Sequence, residues 1–556
     1  MRRSSSALLS ASSLLILILC IVLLSTFSFA AAPDRIAGPV VARQFIQLPA
    51  SVPYKAQPQY DRGAVDPSLK LSNMTLLTVP SASQQRAISR LLAQQQDPRS
   101  TQYHKWLTPE QYADRFGLGP NDIKKITAWL QSQGFSVNHV ARGRNWITFS
   151  GTASQAESAF QTSLHTFDIN GETHFSNTTP LSIPAALSGV VVGVRGVSNF
   201  HPKSHASRLK PSPDYTTSSN NIFLAPGDIS TVYDVAPLYT AGIDGTGQTL
   251  AVIGETDVYL ADLSDFRSGF GLSPISGCTV NSNNVITACD TANFKYVVAA
   301  GDTDPGFPNS IQDDLAEADI DIEWSGAVAR NAQIIYVNAP ISGVFASLDH
   351  VVENTLAPVM TMSYGLCELD EVGFFSFDEG VLQQANLEGI TFLNSSGDSG
   401  AAECDYTSSP AVRGYSVSYP ASSPEATGVG GTLIPFNEYT SQFWNAGNGT
   451  DGGSAVSYIP ENGWNDPQEW GAFCAAASGN CNGFPFSDWQ TAQNFFGILG
   501  GGGGVSNCTS TNGSGVCQGG FPQPTYQLGL SGLNLSGQSV ARFSPDVSLL
   551  ASIYWP

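Results

Sequence analysis

With 556 residues, 42% of them hydrophobic, the chain is too long for one ordinary domain and has ample apolar content for real cores. Its formal net charge of −21 is unevenly spread: residues 35–210 hold eighteen Lys and Arg against nine Asp and Glu, and residues 211–556 hold five against thirty-six. This argues against nucleic acid as a partner of the larger part, favours docking of a basic first part on an acidic second part, and suits an acidic working environment.

Residues 1–32 read as a secretory signal peptide. Arg2 and Arg3 precede an apolar run at Leu14–Leu24, and the small residues Ala30, Ala31 and Ala32 follow. An uncleaved anchor is the alternative, but the continuous core has signal-peptide length and no later stretch approaches a membrane span. Export agrees with cysteine usage. Eight cysteines follow the signal, an even number, and their spacing suggests local disulfides: Cys278–Cys289, Cys367–Cys404, Cys474–Cys481 and Cys508–Cys517. No C-x-x-C occurs, which disfavours zinc and thioredoxin-like chemistry.

Residues 33–200 read as a small α+β domain. In "HKWLTPEQYADRFG" a helix is expected with Thr108 as N-cap, Pro109 at N1 and Gln111 at N3. A second is expected from Asn121, with Ile123, Ile126 and Leu130 on its apolar face and Gly134 as its stop. A strand "NWITFSG", a capped helix from Thr152, a hairpin turning at Asn170-Gly171 and a strand "GVVVGVRGV" follow. Helices alternating with antiparallel strands suggest a ferredoxin-like sandwich. Residues 201–225 are polar and rich in Pro and Ser, an exposed linker open to proteolysis.

Residues 226–556 change character. "GQTLAVIGE", "NAQIIYVNA", "PVMTMSYG" and "GITFLNSSG" are apolar runs separated by helix-length segments, the pattern of a buried parallel sheet with βαβ crossovers. Chemistry in such sheets gathers in loops at the carboxyl ends of strands, and "SSGDSG" and "SYGLCELD" are loops of that kind. The first contains Ser399 in a G-D-S-G setting. Six of seven histidines precede residue 206, which leaves only His350 as a possible base, on an expected helix. Ser399 is therefore read as a turn residue rather than a nucleophile.

Carboxylates are the better candidates for a base. "QDDLAEADIDIEWSGAVAR", residues 312–330, carries Asp313, Asp314, Glu317, Asp319, Asp321 and Glu323 on one expected helix. Apolar residues interleave them, so some carboxylates must approach the core instead of forming a solvated face. Glu317 and Asp321 share one face four residues apart, a placement that pushes two pKa values apart and leaves one group able to act as a base in acid.

Together with "MSYGLCELD", "GITFLNSSGDSGAAEC", "YPASSPEATGVGGT" and "RFSPDVSLLAS", this segment resembles the sedolisins, the serine-carboxyl peptidases. "LTPEQYADRFG" resembles their activation propeptide, the pro-kumamolisin domain. The resemblance runs from about residue 40 onward in the family's order. It implies a subtilisin-like fold, a Ser-Glu-Asp triad and an aspartic acid in the oxyanion hole. It implies Glu317 as general base, Asp321 as the carboxylate that orients it, and Asp370 as the oxyanion donor, with Glu368 as the alternative. It also implies peptide substrates, and a prodomain that inhibits its own peptidase domain until cleavage in 201–225. The implied nucleophile motif, G-T-S-x-x-x-P after "SPDVS", has no counterpart in these residues, and the chain is read as ending before it. Ser454 in "GGSAVSYIP" has its proline six residues on instead of four and is not assigned. The implied calcium loop follows the nucleophile, so its ligands are expected beyond this chain too. Gly500–Gly504 lacks the Lys-Ser/Thr of a phosphate loop and is read as a flexible surface segment. The competing function is a non-catalytic secreted protein that keeps the fold and binds peptides or a cell wall.

Overall fold

The structure, a computed structural model, describes residues 32–41, 43–169, 171–204, 224–309, 312–405, 411–476, 488, 491, 494, 497–512, 516–530 and 541–552. The expected signal peptide, Asn170, most of the expected linker and Cys481 lie outside them. Among the described residues no helix is long and apolar enough to cross a membrane.

Four antiparallel strands of the first part, β1 (Lys70–Thr78), β2 (Ser136–Val140), β3 (Trp146–Thr152) and β4 (Val191–Arg195), lie in the order β2-β3-β1-β4. Helices α1 (Ala82–Gln96), α2 (Pro109–Phe116) and α3 (Pro120–Ser132) connect β1 to β2, and α4 (Ala153–Phe160) connects β3 to β4. This is the expected ferredoxin-like arrangement, with the first and third strands central. Met74 and Leu76 of β1, Ile126 and Leu130 of α3, Phe149 of β3 and Phe160 of α4 fill its core. The expected capping boxes form at Thr108 with Gln111 and at Thr152 with Gln155. The helix expected from Asn121 instead starts at Pro120, with Gly119 as N-cap. Its acidic first-turn residue, Asp122, accepts hydrogen bonds from the backbone of Arg35 and Ile36 and ties down the start of the domain.

In the second part seven parallel strands form the heart of a ten-stranded sheet. They are β6 (Thr249–Gly254), β7 (Phe294–Val298), β8 (Gln333–Asn338), β9 (Val359–Met362), β11 (Thr391–Ser395), β12 (Thr427–Leu433) and β13 (Val547–Leu550), in the order β7-β8-β6-β9-β11-β12-β13. The order reverses around β6, where ligand crevices form outside the carboxyl ends of parallel strands. Helix α5 (Gln312–Val328) links β7 to β8, and α6 (Val344–Asn354) links β8 to β9. The strands are apolar on both faces because helices cover both: Ile253, Val337, Met360 and Phe392 are buried against Leu348 and Val351 of α6. After β9 the chain leaves the sheet as β10 (Tyr364–Cys367), turns through one helical turn, α7 (Glu368–Glu371), and enters α8 (Phe375–Leu387).

The basic first part docks on the acidic second part through identifiable pairs. Lys55 Nζ lies 2.9 Å from Asp370, His139 Nε2 lies 2.6 Å from Glu353, and Arg195 reaches three carboxylates. Apolar contacts add to them, since Ile88 and Leu91 of α1 cluster with Leu387 of α8.

Three expected disulfides form, Cys278–Cys289, Cys367–Cys404 and Cys508–Cys517. Cys474 is also disulfide-bonded, to a residue outside those described. Peptide mapping without reduction is expected to join it to Cys481, and any other partner would remove that assignment.

Candidate active site

Helix α5 sorts its carboxylates into two faces. Glu317 is only 5% exposed and Asp314 only 3%, so this side of the helix is turned into the protein. One turn after Glu317, about 6 Å along the axis, Asp321 accepts a 2.7 Å hydrogen bond from Ser363 Oγ. Ser363 stands at the carboxyl end of β9, so the bond fastens α5 to the edge where a parallel sheet does its chemistry. Tyr364, next in the chain, is fully buried; burial above all, and then the charges of Asp314, Glu255 and Glu317, hold its hydroxyl well above its ordinary pKa. Those carboxylates therefore converge on one place. Asn309 Nδ2 donates to Asp314 at 2.6 Å, and the backbone of Asn309 donates to Thr256 Oγ1, which joins the loop before α5 to the end of β6.

The other face carries Asp319 and Glu323, which look towards Asp262. Burial, reinforced by the charge of Asp262, pushes Asp319 to about 8, and burial with the charges of Asp319 and Asp262 pushes Glu323 to about 9. The run is thus not a solvated acidic face, as the interleaved apolar residues required. Asp313 has no described side chain.

Asp370 and Glu368 stand elsewhere. Asp370 lies in α7, off the main sheet, with Lys55 of the first part on its carboxylate. Glu368 is completely buried and accepts from the backbone of Asn507 and Cys508 at 3.0 and 2.9 Å, which commits it to holding that loop. A carboxyl that the sequence reading passed over, Asp398, is better placed. It follows β11, and β11 pairs with β9 in a register that sets Asn394 opposite Met362. Asn394 Nδ2 donates to the carbonyls of Met362 and Tyr364, so the loop bearing Asp398 leaves the same sheet edge, beside Ser363. The signal in the sequence is "SSGDSG" itself, an aspartate in the loop directly after an expected strand.

Ser399 is 1% exposed, and its backbone pairs with Gly500. His350 cannot serve it. That ring accepts from the backbone of Ala300 just past β7, four strands from β11, on the order of 19 Å at ordinary strand spacing. Ser454 is also buried, and its backbone nitrogen donates to Asp228 at 2.6 Å.

The glycine run is not the flexible segment expected from its composition. Gly502 donates to the Gly397 carbonyl at 2.6 Å, Gly500 donates to the Asp398 carbonyl at 2.8 Å, and Ser396 Oγ donates to Gly502. A Cβ at Gly502 would collide with the Ser396 carbonyl, so glycine is what allows this backbone to brace the loop carrying Asp398.

Residues 59–200 match the family model described as "Pro-kumamolisin, activation domain". Among curated proteins, sedolisin of Pseudomonas sp. (strain 101) is 28% identical over 384 residues, covering 66% of this chain and 58% of that one. Xanthomonalisin of Xanthomonas sp. (strain T-22) is 29% identical over 415 residues, covering 69% and 48%. Over about two thirds of its length the chain is thus similar to the sedolisins. Tripeptidyl-peptidase 1 of Homo sapiens is a further relative, 26% identical over 388 residues and covering 66% of this chain and 63% of the human protein. The chain spans about half to three fifths of the length of the two bacterial relatives. The calcium that family resemblance implies finds no ligand set in the described residues, where no group of three or more His, Cys, Asp or Glu could hold a metal.

Proposed function

We propose that the protein is the zymogen of a secreted, acid-acting serine-carboxyl endopeptidase, with residues 33–200 as inhibitory prodomain, 201–225 as processing region and 226–556 as peptidase domain. The observation that carries this reading is a two-residue strand, β5 (Lys203–Ser204), which pairs antiparallel with β10 so that Lys203 faces Gly365 and Ser204 faces Tyr364. The chain leaving the prodomain therefore adds itself to the peptidase domain as an edge strand. This is how extended peptides are commonly bound, with main-chain hydrogen bonds supplying sequence-independent affinity. Ser204 thus pairs with the residue next to Ser363, whose hydroxyl holds Asp321.

In this reading Glu317 takes the proton of a serine hydroxyl as that oxygen attacks the peptide carbonyl, and Asp321 fixes the orientation of Glu317 through its own anchorage on Ser363. A neutral Asp398 carboxyl, in preference to Asp370, donates a hydrogen bond to the oxyanion of the tetrahedral intermediate. Glu317 returns the proton to the leaving amine, and water then releases the acyl group by the reverse sequence of proton transfers. The serine is not assigned within these residues: Ser399 and Ser454 are both buried. Calcium enters no step.

In the complete protein held near pH 4, the first cut is expected shortly after Ser204, within residues 205–210, as read by N-terminal sequencing of the mature chain. A first cut upstream of residue 201 or well beyond 210 would mean that the β5–β10 pairing does not present the processed bond.

A further inference from the structure

Arg195 ends β4 of the first part, yet the groups around it that interact with its charge come from the second. Its Nη2 lies 2.7 Å from Asp378 and 3.4 Å from Glu371, and Nη1 lies 3.9 Å from Asp349. Its Cζ stands 4.6 Å from the ring centroid of Phe345, 5.5 Å from that of Phe374 and 5.7 Å from that of Phe377. The arginine side chain is 18% exposed and the three carboxylates 5–10%. Burial alone would lower the guanidinium pKa, but the three carboxylates more than offset this and raise it. Three acidic groups against one cation exceed what a simple ion pair needs. The flat, delocalised guanidinium is the cation that can lie between aromatic faces while forking onto carboxylates, which an ammonium cannot do.

Arg195, Phe345, Asp349, Glu371 and Phe374 wall a cavity of about 220 Å³ that also borders Leu366 of β10 and the prosegment residues His201 and Pro202; Asp378 closes on the guanidinium from beside it. The arginine hollow is therefore continuous with the edge on which β5 adds itself. We infer that the hollow formed by Phe345, Asp349, Glu371, Phe374 and Asp378 is a guanidinium-binding site of the peptidase half, filled in cis by Arg195 and open to an arginine side chain of a bound peptide once the prosegment has left. The second half of this statement rests on the zymogen reading; the first does not.

The test separates the two. In the intact chain, Arg195→Ala empties the hollow and is expected to lower the melting temperature. Ethylguanidinium should then restore it at several-fold lower concentration than ethylammonium at equal ionic strength. The unsubstituted chain should respond to neither preferentially, and adding Asp378→Asn should abolish the preference. If Arg195→Ala does not fold unaided, refolding yield in the two cations gives the same comparison. Equal responses to both cations would overturn the site. In the processed protein, Nα-acetyl-arginine amide should bind and the citrulline analogue should not. Rescue without this binding would keep the guanidinium site and remove its role for peptides.

Discussion

Glu317→Gln, measured in the complete protein on a peptide at acid pH, is expected to lower kcat by about six orders of magnitude, the effect of losing the base of a serine triad. Glutamine keeps the shape and hydrogen-bonding capacity of the buried side chain but cannot accept a proton, so circular dichroism and the melting temperature should change little. Asp321→Asn should cost less, because the amide still accepts from Ser363 Oγ, and the loss is one of electrostatic support for Glu317. Asp398→Ala should reduce kcat with KM nearly unchanged, as befits a donor used only in the transition state. Asp370→Ala should instead leave the mature enzyme's kcat intact and loosen the prodomain, since its partner is Lys55. Ser399→Ala should keep near-normal activity. If Ser399→Ala abolished hydrolysis in a folded protein and Glu317→Gln did not, the carboxylate reading of the site would fall.

The parts of this architecture that were legible in the sequence are those written locally. Apolar runs such as "LAVIG" and "IIYVN" become central parallel strands because both of their faces are covered by helices. Thr108-Gln111 and Thr152-Gln155 cap helices because the partners lie within one turn. The i, i+4 spacing of Glu317 and Asp321 put both on one helical face, and the interleaved Leu315, Ala318 and Ile322 required that face to meet the core. What was illegible depends on pairings between distant segments. Nothing local in "HPKS" announces a strand, and β5 exists only because β10 offers it an open edge. The glycine run looks flexible as a string, yet it is fixed because residues a hundred positions earlier turn their carbonyls towards it. Asp370 and Asp398 are equivalent as loop aspartates following strands. Only the sheet register, Met362 opposite Asn394, tells which of them shares an edge with Asp321.

Thermal stability is expected to be greatest near pH 4–5 and to fall steadily towards pH 9. Burial pushes Asp319, Asp349, Glu379 and Glu388 to about 8 and Glu323 to about 9, against values near 4 in an unfolded chain. For a carboxyl whose folded pKa is raised, the folded state binds the proton more tightly. The stability it contributes is fully present below the unfolded pKa and is lost as pH rises through the folded pKa. The window is therefore about pH 4 to 9. At about 1.4 kcal/mol per pKa unit, several such groups acting together withdraw enough to lower the melting temperature by roughly 10 °C or more between pH 4.5 and 8.5. Exposed carboxylates with lowered pKa values oppose this only in stronger acid. Asp66, hydrogen-bonded to Ser68, and Asp97, hydrogen-bonded to Arg99, lose their contribution as pH falls below about 4, which sets the acid side of the maximum. Glu379→Gln should flatten the alkaline decline while still accepting the 3.1 Å hydrogen bond from Tyr419. A melting temperature that rises from pH 4.5 to 8.5, or a slope that Glu379→Gln leaves untouched, would show that these buried carboxyls ionise freely in the folded protein. The same linkage ties fold to the proposed function, since the buried carboxyls stabilise the protein in the acid range in which the proposed peptidase is expected to work.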